Sequence, residues 1–262
     1  PLDGAAFDAL ALRVFAVQYE ANRIYRGFCE RRGATPGTVT RWEDVPAVPT
    51  TAFKFVDLVC GDPSVAEATY LTSGTTSGSQ AKGRHPVPTV ALYRASALPN
   101  LRAHLVPEDR PLPVLSLIPA PSEAPGSSLS AMMGFVADAW GNPVRWLGHP
   151  ERGPDVDGFR KAAAEAAACA EPVLVAGTAF AFVHLLEALA RAGCAVALPE
   201  GSRLMETGGF KGCSRVVERD ELYGALEDRL GISRRRMVNE YGMTEMATQF
   251  YDSVLRDGFN GV

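Results

Sequence analysis

The sequence lacks the features that would point to nucleic acid or to a membrane. Its 26 lysines and arginines do not outnumber its 30 aspartates and glutamates, and the formal net charge is −4. Proteins that bind polyanions need a basic surplus, so no nucleic-acid partner is expected. No apolar run reaches the roughly 18 to 20 residues that a membrane-spanning helix requires, so no membrane span is expected either.

Paired cysteines are also missing. The five cysteines are odd in number and scattered, without the close pairs of a zinc site: Cys29, Cys60, Cys169, Cys194 and Cys213. This pattern argues against a disulfide framework and against a structural metal. It indicates reduced thiols and predicts a cytoplasmic location.

Two common nucleotide-binding signatures are absent. The chain contains no Gly-x-x-x-x-Gly-Lys-Ser/Thr loop and no Gly-x-Gly-x-x-Gly after a predicted strand. The first is typical of P-loop NTPases and the second of Rossmann dehydrogenases. Neither class is therefore favoured.

What the chain does contain is a loop rich in hydroxyl residues and glycine, from Tyr70 to Ser79, which reads Tyr-Leu-Thr-Ser-Gly-Thr-Thr-Ser-Gly-Ser. Glycine lets backbone N–H groups approach a phosphate chain, and serine and threonine add neutral donors. The sequence therefore predicts a phosphate-binding loop that leaves the end of a strand. A solvated polar turn is the alternative for such a composition.

Short apolar runs alternate with helical patterns through the rest of the chain. Strands are predicted at 113–119, 173–177, 195–198, 204–207 and 237–239, and helices at 90–105, 129–140, 157–170, 178–193 and 220–230. Pro99 is expected to bend or divide the first of these helices. The alternation predicts an α/β fold, with mostly parallel sheets flanked by helices.

The N-terminal region shows a helical pattern of its own. Apolar residues recur at steps of three and four, at Leu10, Val14, Val17, Ala21, Ile24 and Phe28. This spacing predicts one helix with these residues on its buried face.

Two further motifs accompany the loop. One is Asn239-Glu240-Tyr241-Gly242-Met243-Thr244-Glu245, and the other is Glu206-Thr207-Gly208-Gly209-Phe210. Together the three resemble the adenylate-forming superfamily, whose members activate a carboxylate with ATP. The N-terminal part is similar to the acyl-protein synthetase family of bacterial bioluminescence operons, through residues 22–29 and the proline-rich stretch 45–54.

The resemblance implies a role for each motif. The phosphates of ATP would be held by Thr72, Ser73, Gly74, Thr75 and Thr76, and the adenine by Gly208, Gly209, Asn239, Tyr241 and Gly242. Glu245 would hold Mg²⁺. Thr244 would contact the α-phosphate, and Lys82 is a candidate for a charged phosphate contact. Lys82 follows Ser-Gly-Ser-Gln-Ala where the superfamily has Gly-x-Pro-Lys, so a solvated lysine is the alternative.

The implied function is ATP-dependent activation of a carboxylic acid, of the acyl or fatty class, to an acyl-adenylate. The acyl group would pass to a thiol of a protein, an acyl carrier or coenzyme A. Cys213, between Lys211 and Arg215, is the candidate acceptor inside the chain.

The resemblance covers the large N-terminal domain of the superfamily. Residues 1–262 are accordingly expected to form that domain, as one body or as two packed lobes. The ribose-binding aspartate and the small C-terminal domain with its catalytic lysine are not expected within the chain. A non-catalytic nucleotide-binding subunit, or a half-enzyme that depends on a partner, is therefore the alternative function.

Overall fold

The computed structural model describes residues 3–72, 83–208 and 217–258. The chain forms two compact units, Pro1–Val90 and Ala91–Val262. Within the described residues, no helix combines the length and the apolar character needed to cross a bilayer.

The first unit begins with two consecutive helices, α1 (Gly4–Ala21) and α2 (Arg23–Glu30). Asn22 separates them. Its side-chain oxygen accepts a hydrogen bond from the Tyr25 N–H at 3.0 Å, which caps the start of α2. The single helix predicted for this region is therefore two, interrupted at Asn22, whose backbone is extended (φ −110°, ψ 98°).

The predicted buried face of this region is wrong. Leu10, Val14 and Val17 are exposed, and the small core of the unit is built instead around Phe15 and Tyr25 together with Cys29 and Val39. The helix is apolar on more than one side, and packing buries the side that carries the large aromatic rings. Aromatic side chains remove the most apolar surface from water when they are buried.

A short antiparallel pair of strands completes the described part of this unit. Strand β1 (Ala68–Leu71) pairs with β2 (Arg84–Val87), so that Leu71 lies opposite Arg84. The predicted phosphate-binding loop therefore connects two paired strands.

The second unit alternates helices and strands. Its helices are α3 (Val90–Leu105, starting at the unit boundary), α4 (Ser128–Trp140), α5 (Val156–Ala168), α6 (Ala179–Arg191) and α7 (Arg219–Leu230). Its strands are β3 (Val114–Pro119), β4 (Val144–His149), β5 (Gly153–Pro154), β6 (Leu174–Thr178), β7 (Arg203–Thr207), β8 (Met237–Met243) and β9 (Thr248–Tyr251). Pro99 lies inside α3 without dividing it.

The seven strands of this unit form one sheet in the order β5-β4-β3-β6-β7-β8-β9. The five central strands are parallel, and β5 and β9 are antiparallel to their neighbours. The predicted fold class, a mostly parallel sheet flanked by helices, is confirmed. Because parallel strands share one carboxyl edge, the ends of β3, β6, β7 and β8 lie along the edge where ligands of open α/β sheets bind.

The strand predicted at 195–198 is wrong. These residues follow α6 and bond to the end of α7: the N–H groups of Val196 and Leu198 donate to the carbonyl oxygens of Arg229 and Leu230, both at 2.9 Å. The place beside β6 is taken by β7, which pairs with it over five residues.

The main core of the second unit lies between the sheet and α5, α6 and α7. Its largest fully buried side chains include Phe159, Phe182, Leu185 and Leu189, with Leu204 contributed by the sheet. This core fixes β6, β7 and β8 relative to one another and so fixes the carboxyl edge.

Candidate functional site

The two C-terminal motifs lie side by side on neighbouring strands. In the β7–β8 pairing Glu206 is opposite Asn239 and Thr207 is opposite Glu240. Immediately after β7, Gly208 has φ +74°, a conformation that favours glycine. β7 therefore ends at the level of the Asn-Glu-Tyr-Gly segment of β8.

Alternation along β8 divides that segment between the two faces of the sheet. Asn239 and Tyr241 share one face, and Glu240 and Gly242 share the other. On the first face, Asn239 Nδ2 donates to Glu206 Oε2 at 2.6 Å and to the Glu206 carbonyl oxygen at 3.4 Å. Tyr241 is 55% exposed, so its ring is available for stacking on a flat ligand.

On the other face the Glu240 carboxyl is buried. The Thr207 hydroxyl donates a hydrogen bond to it. Burial raises the pKa of Glu240 to about 7, against the lowering effect of that hydrogen bond. A Cβ on Gly242 would lie 2.5 Å from Glu240 Oε1, which explains why this position of the motif is a glycine.

Asp252 and Arg219 tie this part of β8 to its surroundings. Asp252 follows β9 and forms two hydrogen bonds with the backbone of Asn239. The Asp252 N–H donates to the Asn239 carbonyl at 3.0 Å, and the Asp252 side-chain Oδ2 accepts from the Asn239 N–H at 3.3 Å. Arg219, at the start of α7, forms an ion pair with Asp252 and donates to the Tyr223 hydroxyl at 3.2 Å. Burial raises the pKa of Tyr223 to about 12, so the hydroxyl stays protonated. Both the N–H and the carbonyl of Asn239 are thus bonded to Asp252, and Arg219 in turn pairs with Asp252.

Thr244 and Glu245 lie in a short 3-10 helix after β8. The Thr244 hydroxyl is 3.1 Å from the hydroxyl of Ser128, the first residue of α4, so the turn after β8 meets the start of that helix. Glu245 is half-buried. In the described ranges no group of three or more His, Cys, Asp or Glu side chains is arranged to hold a metal ion.

The predicted phosphate-binding residues belong to the first unit, where the structure describes only the start of the loop. Thr72 is buried and joined to Gly83 by two hydrogen bonds of 2.9 Å: its N–H donates to the Gly83 carbonyl, and its hydroxyl oxygen accepts from the Gly83 N–H. A Cβ on Gly83 would lie 2.7 Å from the Phe53 carbonyl oxygen. These contacts close the base of the loop.

Several predicted site residues lie outside the described ranges: Ser73, Gly74, Thr75, Thr76, Lys82, Gly209 and the acceptor candidate Cys213. In the second unit the structure brings Gly208, Asn239, Tyr241 and Gly242 together at one edge of the sheet, with Thr244 and Glu245 in the turn that follows.

Sequence reasoning did not assign a role to Glu206, Arg219, Asp252 or Ser128. Their contacts cross between strands or helices that are distant in sequence, and no motif spacing predicts such contacts. Glu206 did carry one signal, because a charged residue inside an apolar strand is rare without a partner.

The sequence of the chain matches a known protein family. Residues 4–259 match the sequence profile of the family described as "Acyl-protein synthetase, LuxE". A search of curated proteins gives no significant match.

Among solved structures, the chain is similar to a 2-hydroxyisobutyryl-CoA ligase whose open conformation was determined in complex with 2-HIB-AMP and CoA. The TM-score is 0.62 at 20% sequence identity, and the match covers 92% of this chain and 51% of the ligase chain. The chain therefore spans about half the length of that ligase and shares its fold. Since the family profile matches almost every residue, the chain belongs to the LuxE acyl-protein synthetase family.

Proposed function

We propose that this chain activates a carboxylic acid with ATP and passes the acyl group to a thiol. In the first step a carboxylate oxygen attacks the α-phosphorus of ATP, pyrophosphate leaves, and an acyl-adenylate forms. In the second step a thiolate attacks the acyl carbon and AMP leaves. The observation that carries the proposal is the family match over residues 4–259, together with the motif of that family at the carboxyl edge of a parallel sheet.

The residues of the second unit supply the adenine contacts in this proposal. The exposed ring of Tyr241 stacks on the base, and Asn239 and the turn at Gly208 and Gly209 meet its edge. Tyr241 and Asn239 share one face of β8, as this role requires. Because Gly242 has no side chain, the buried Glu240 carboxyl can pack against it on the face of β8 opposite Tyr241.

The remaining proposed contacts are to the phosphates and to magnesium. Thr72 to Thr76 and Lys82 bind the phosphate chain, and the Thr244 hydroxyl, beside Ser128 at the start of α4, donates to the α-phosphate. Glu245 fits a magnesium site, since Mg²⁺ is usually bound by one or two carboxylates plus phosphate oxygens. When bound, the ion would neutralise negative charge on the phosphates.

The acyl acceptor follows from thiol chemistry. The ligase of similar fold was solved with an acyl-AMP conjugate and CoA, and the family is one of acyl-protein synthetases. Coenzyme A, an acyl carrier and a protein cysteine are all thiols of the required kind, and Cys213 remains a candidate within the chain. A cytoplasmic location, where ATP and reduced thiols are available, fits this chemistry.

Pyrophosphate exchange tests the proposal. The full chain is incubated with Mg²⁺, ATP, labelled pyrophosphate and one of a panel of carboxylic acids of increasing chain length. We expect acid-dependent exchange with a preferred chain length, and none without acid. Binding of ATP in calorimetry without exchange for any acid would support the nucleotide-binding subunit instead. Absence of ATP binding would overturn the adenine-site assignment.

A further inference from the structure

The side-chain amide of Asn239 has two orientations of almost identical shape, and its surroundings select one of them. An amide carries an acceptor oxygen and a donor nitrogen, and only its hydrogen-bond partners distinguish the two. At Asn239 both partners of one terminal atom are acceptors: Glu206 Oε2 at 2.6 Å and the Glu206 carbonyl oxygen at 3.4 Å. The NH₂ group must therefore face Glu206.

This orientation persists if the Glu206 carboxyl takes up a proton. Burial raises the pKa of Glu206, against the lowering effects of Asn239 and Arg219. The backbone carbonyl of Glu206 remains an acceptor in either state, and so does the carbonyl oxygen of a protonated carboxyl group. The Asn239 amide is therefore bonded to both the backbone carbonyl and the side-chain carboxyl of Glu206.

The other end of the amide is left open. Across the described ranges no group donates a hydrogen bond to Asn239 Oδ1. The backbone of the residue cannot shift to compensate, because Asp252 bonds to both its N–H and its carbonyl. A ligand that lies against Tyr241 therefore meets an acceptor at Asn239, and not a donor.

We infer that Glu206 is a positioning residue that sets base specificity: by holding the Asn239 amide with its oxygen outward, it makes the site accept a 6-aminopurine and reject a 6-oxopurine. The inference rests on the proposed function, since it assumes that the base of a nucleotide occupies this site. A 6-amino group donates to Oδ1. A 6-oxo group would face that oxygen with a second acceptor, and leaving buried polar groups unpaired is costly.

The test compares ATP with inosine triphosphate, which has a 6-oxo group in place of the 6-amino group. The readouts are the ratio of kcat/KM for the two nucleotides in pyrophosphate exchange and the ratio of their Kd values in calorimetry. We expect the unaltered chain to prefer ATP by about tenfold or more. Glu206→Leu removes the 2.6 Å bond and leaves only the long, weak 3.4 Å contact with the backbone carbonyl to orient the amide. The ratio should therefore fall to within about threefold of unity, partly through better use of inosine triphosphate.

Glu206→Gln is the second variant, in case the leucine variant fails to fold. It has nearly the same shape and offers both an acceptor for the Asn239 NH₂ group and a donor for Asn239 Oδ1. The original orientation of the amide is therefore still partly supported, and the preference for ATP should fall by less than in the leucine variant. The matched control is Glu240→Gln, the same change on the opposite face of β8 in the next cross-strand pair. It should leave the ATP preference unchanged.

The outcomes separate this inference from the proposed function. If the unaltered chain neither binds nor uses ATP, the proposed function fails. If it uses ATP and the folded Glu206 variants keep the original preference, or lose activity with both nucleotides equally, Glu206 has only a structural role and the inference is overturned.

Discussion

At the scale of single residues, Glu240 is an unusual group because its carboxyl is buried and no cation lies beside it among the residues that the structure describes. Its pKa of about 7 lies above the value of 4.5 for an exposed glutamate. The folded chain therefore binds this proton more tightly than the unfolded chain does. The stability from this group is fully present below about pH 4.5 and is lost as the pH rises through 7.

Replacing Glu240 by glutamine should remove this pH dependence. At pH 5 the variant and the unaltered chain should differ little, because both side chains are neutral. At pH 8 the glutamine variant should be more stable by about 2–4 kcal/mol, since it avoids a buried charge. Urea unfolding at the two pH values measures the difference. An equal difference at both would mean that Glu240 stays ionised in the folded chain.

Glu245, unlike the buried Glu240, is a half-buried carboxylate, and it is proposed to bind Mg²⁺. Glu245→Gln keeps the shape and removes the charge, so it should lower Mg-ATP exchange by about tenfold or more, while stability changes by less than about 0.5 kcal/mol. Glu151→Gln, on an exposed turn after β4, is the control for loss of one negative charge. Parallel loss of stability and exchange in Glu245→Gln would identify Glu245 as structural.

At the scale of elements, Thr72 and Gly83, which follow β1 and precede β2, hold the two ends of the predicted phosphate-binding loop together. Thr72→Val keeps the volume but leaves the buried Gly83 N–H without its acceptor, at a cost of about 1–3 kcal/mol. We expect faster hydrogen exchange at the Gly83 amide and weaker nucleotide use. Thr72→Ser keeps the hydroxyl and should behave like the unaltered chain. Unchanged Gly83 exchange in the valine variant would show that this bond does not hold the loop.

Elements were predicted well where an apolar run is long and bounded by proline or glycine. β3 and β6 are of this kind: the apolar run of β3 is bounded by Pro113 and Pro119, and that of β6 by Pro172 and Gly177. Three strands of the sheet were not predicted. β4 (Val144–His149) mixes polar and apolar residues, so it contains no continuous apolar run. β5 and β9 are short and lie at the sheet edges, where one neighbour suffices and the sequence need not be apolar. Residues 195–198 have a strand-like composition, but β7 occupies the position beside β6.

The candidate site was predictable to the extent that it lies in contiguous motifs. The spacing of the motif and its resemblance to known enzymes were enough to predict three residues of the candidate site: Asn239, Tyr241 and Glu245. Glu206, Asp252 and Arg219 were not, because each acts through a contact between segments that only the fold brings together. Sequence patterns report which residues share a strand, whereas the partner across the strand depends on register.

At the scale of the whole molecule, a ligand that binds only the folded chain must raise its stability. With ATP and Mg²⁺ at 100 times Kd, the gain should be about 2.7 kcal/mol, which raises Tm by about 5–10 °C if the chain unfolds as one unit. Differential scanning fluorimetry measures this shift. Asn239→Ala should reduce it, and an unchanged Tm at saturating ATP would contradict nucleotide binding.

The two antiparallel strands at the ends of the seven-stranded sheet also bear on how the protein behaves at high concentration. An exposed sheet edge offers unpaired backbone groups that can recruit a strand from another molecule, and short strands and proline limit this. β5 has only two residues, one of them Pro154, and β9 has four. β9 in turn covers β8, the strand that carries Asn239 and Tyr241. Loosening of β9 would therefore expose the edge of the seven-residue strand β8, and so link damage at the proposed nucleotide site to self-association of the chain.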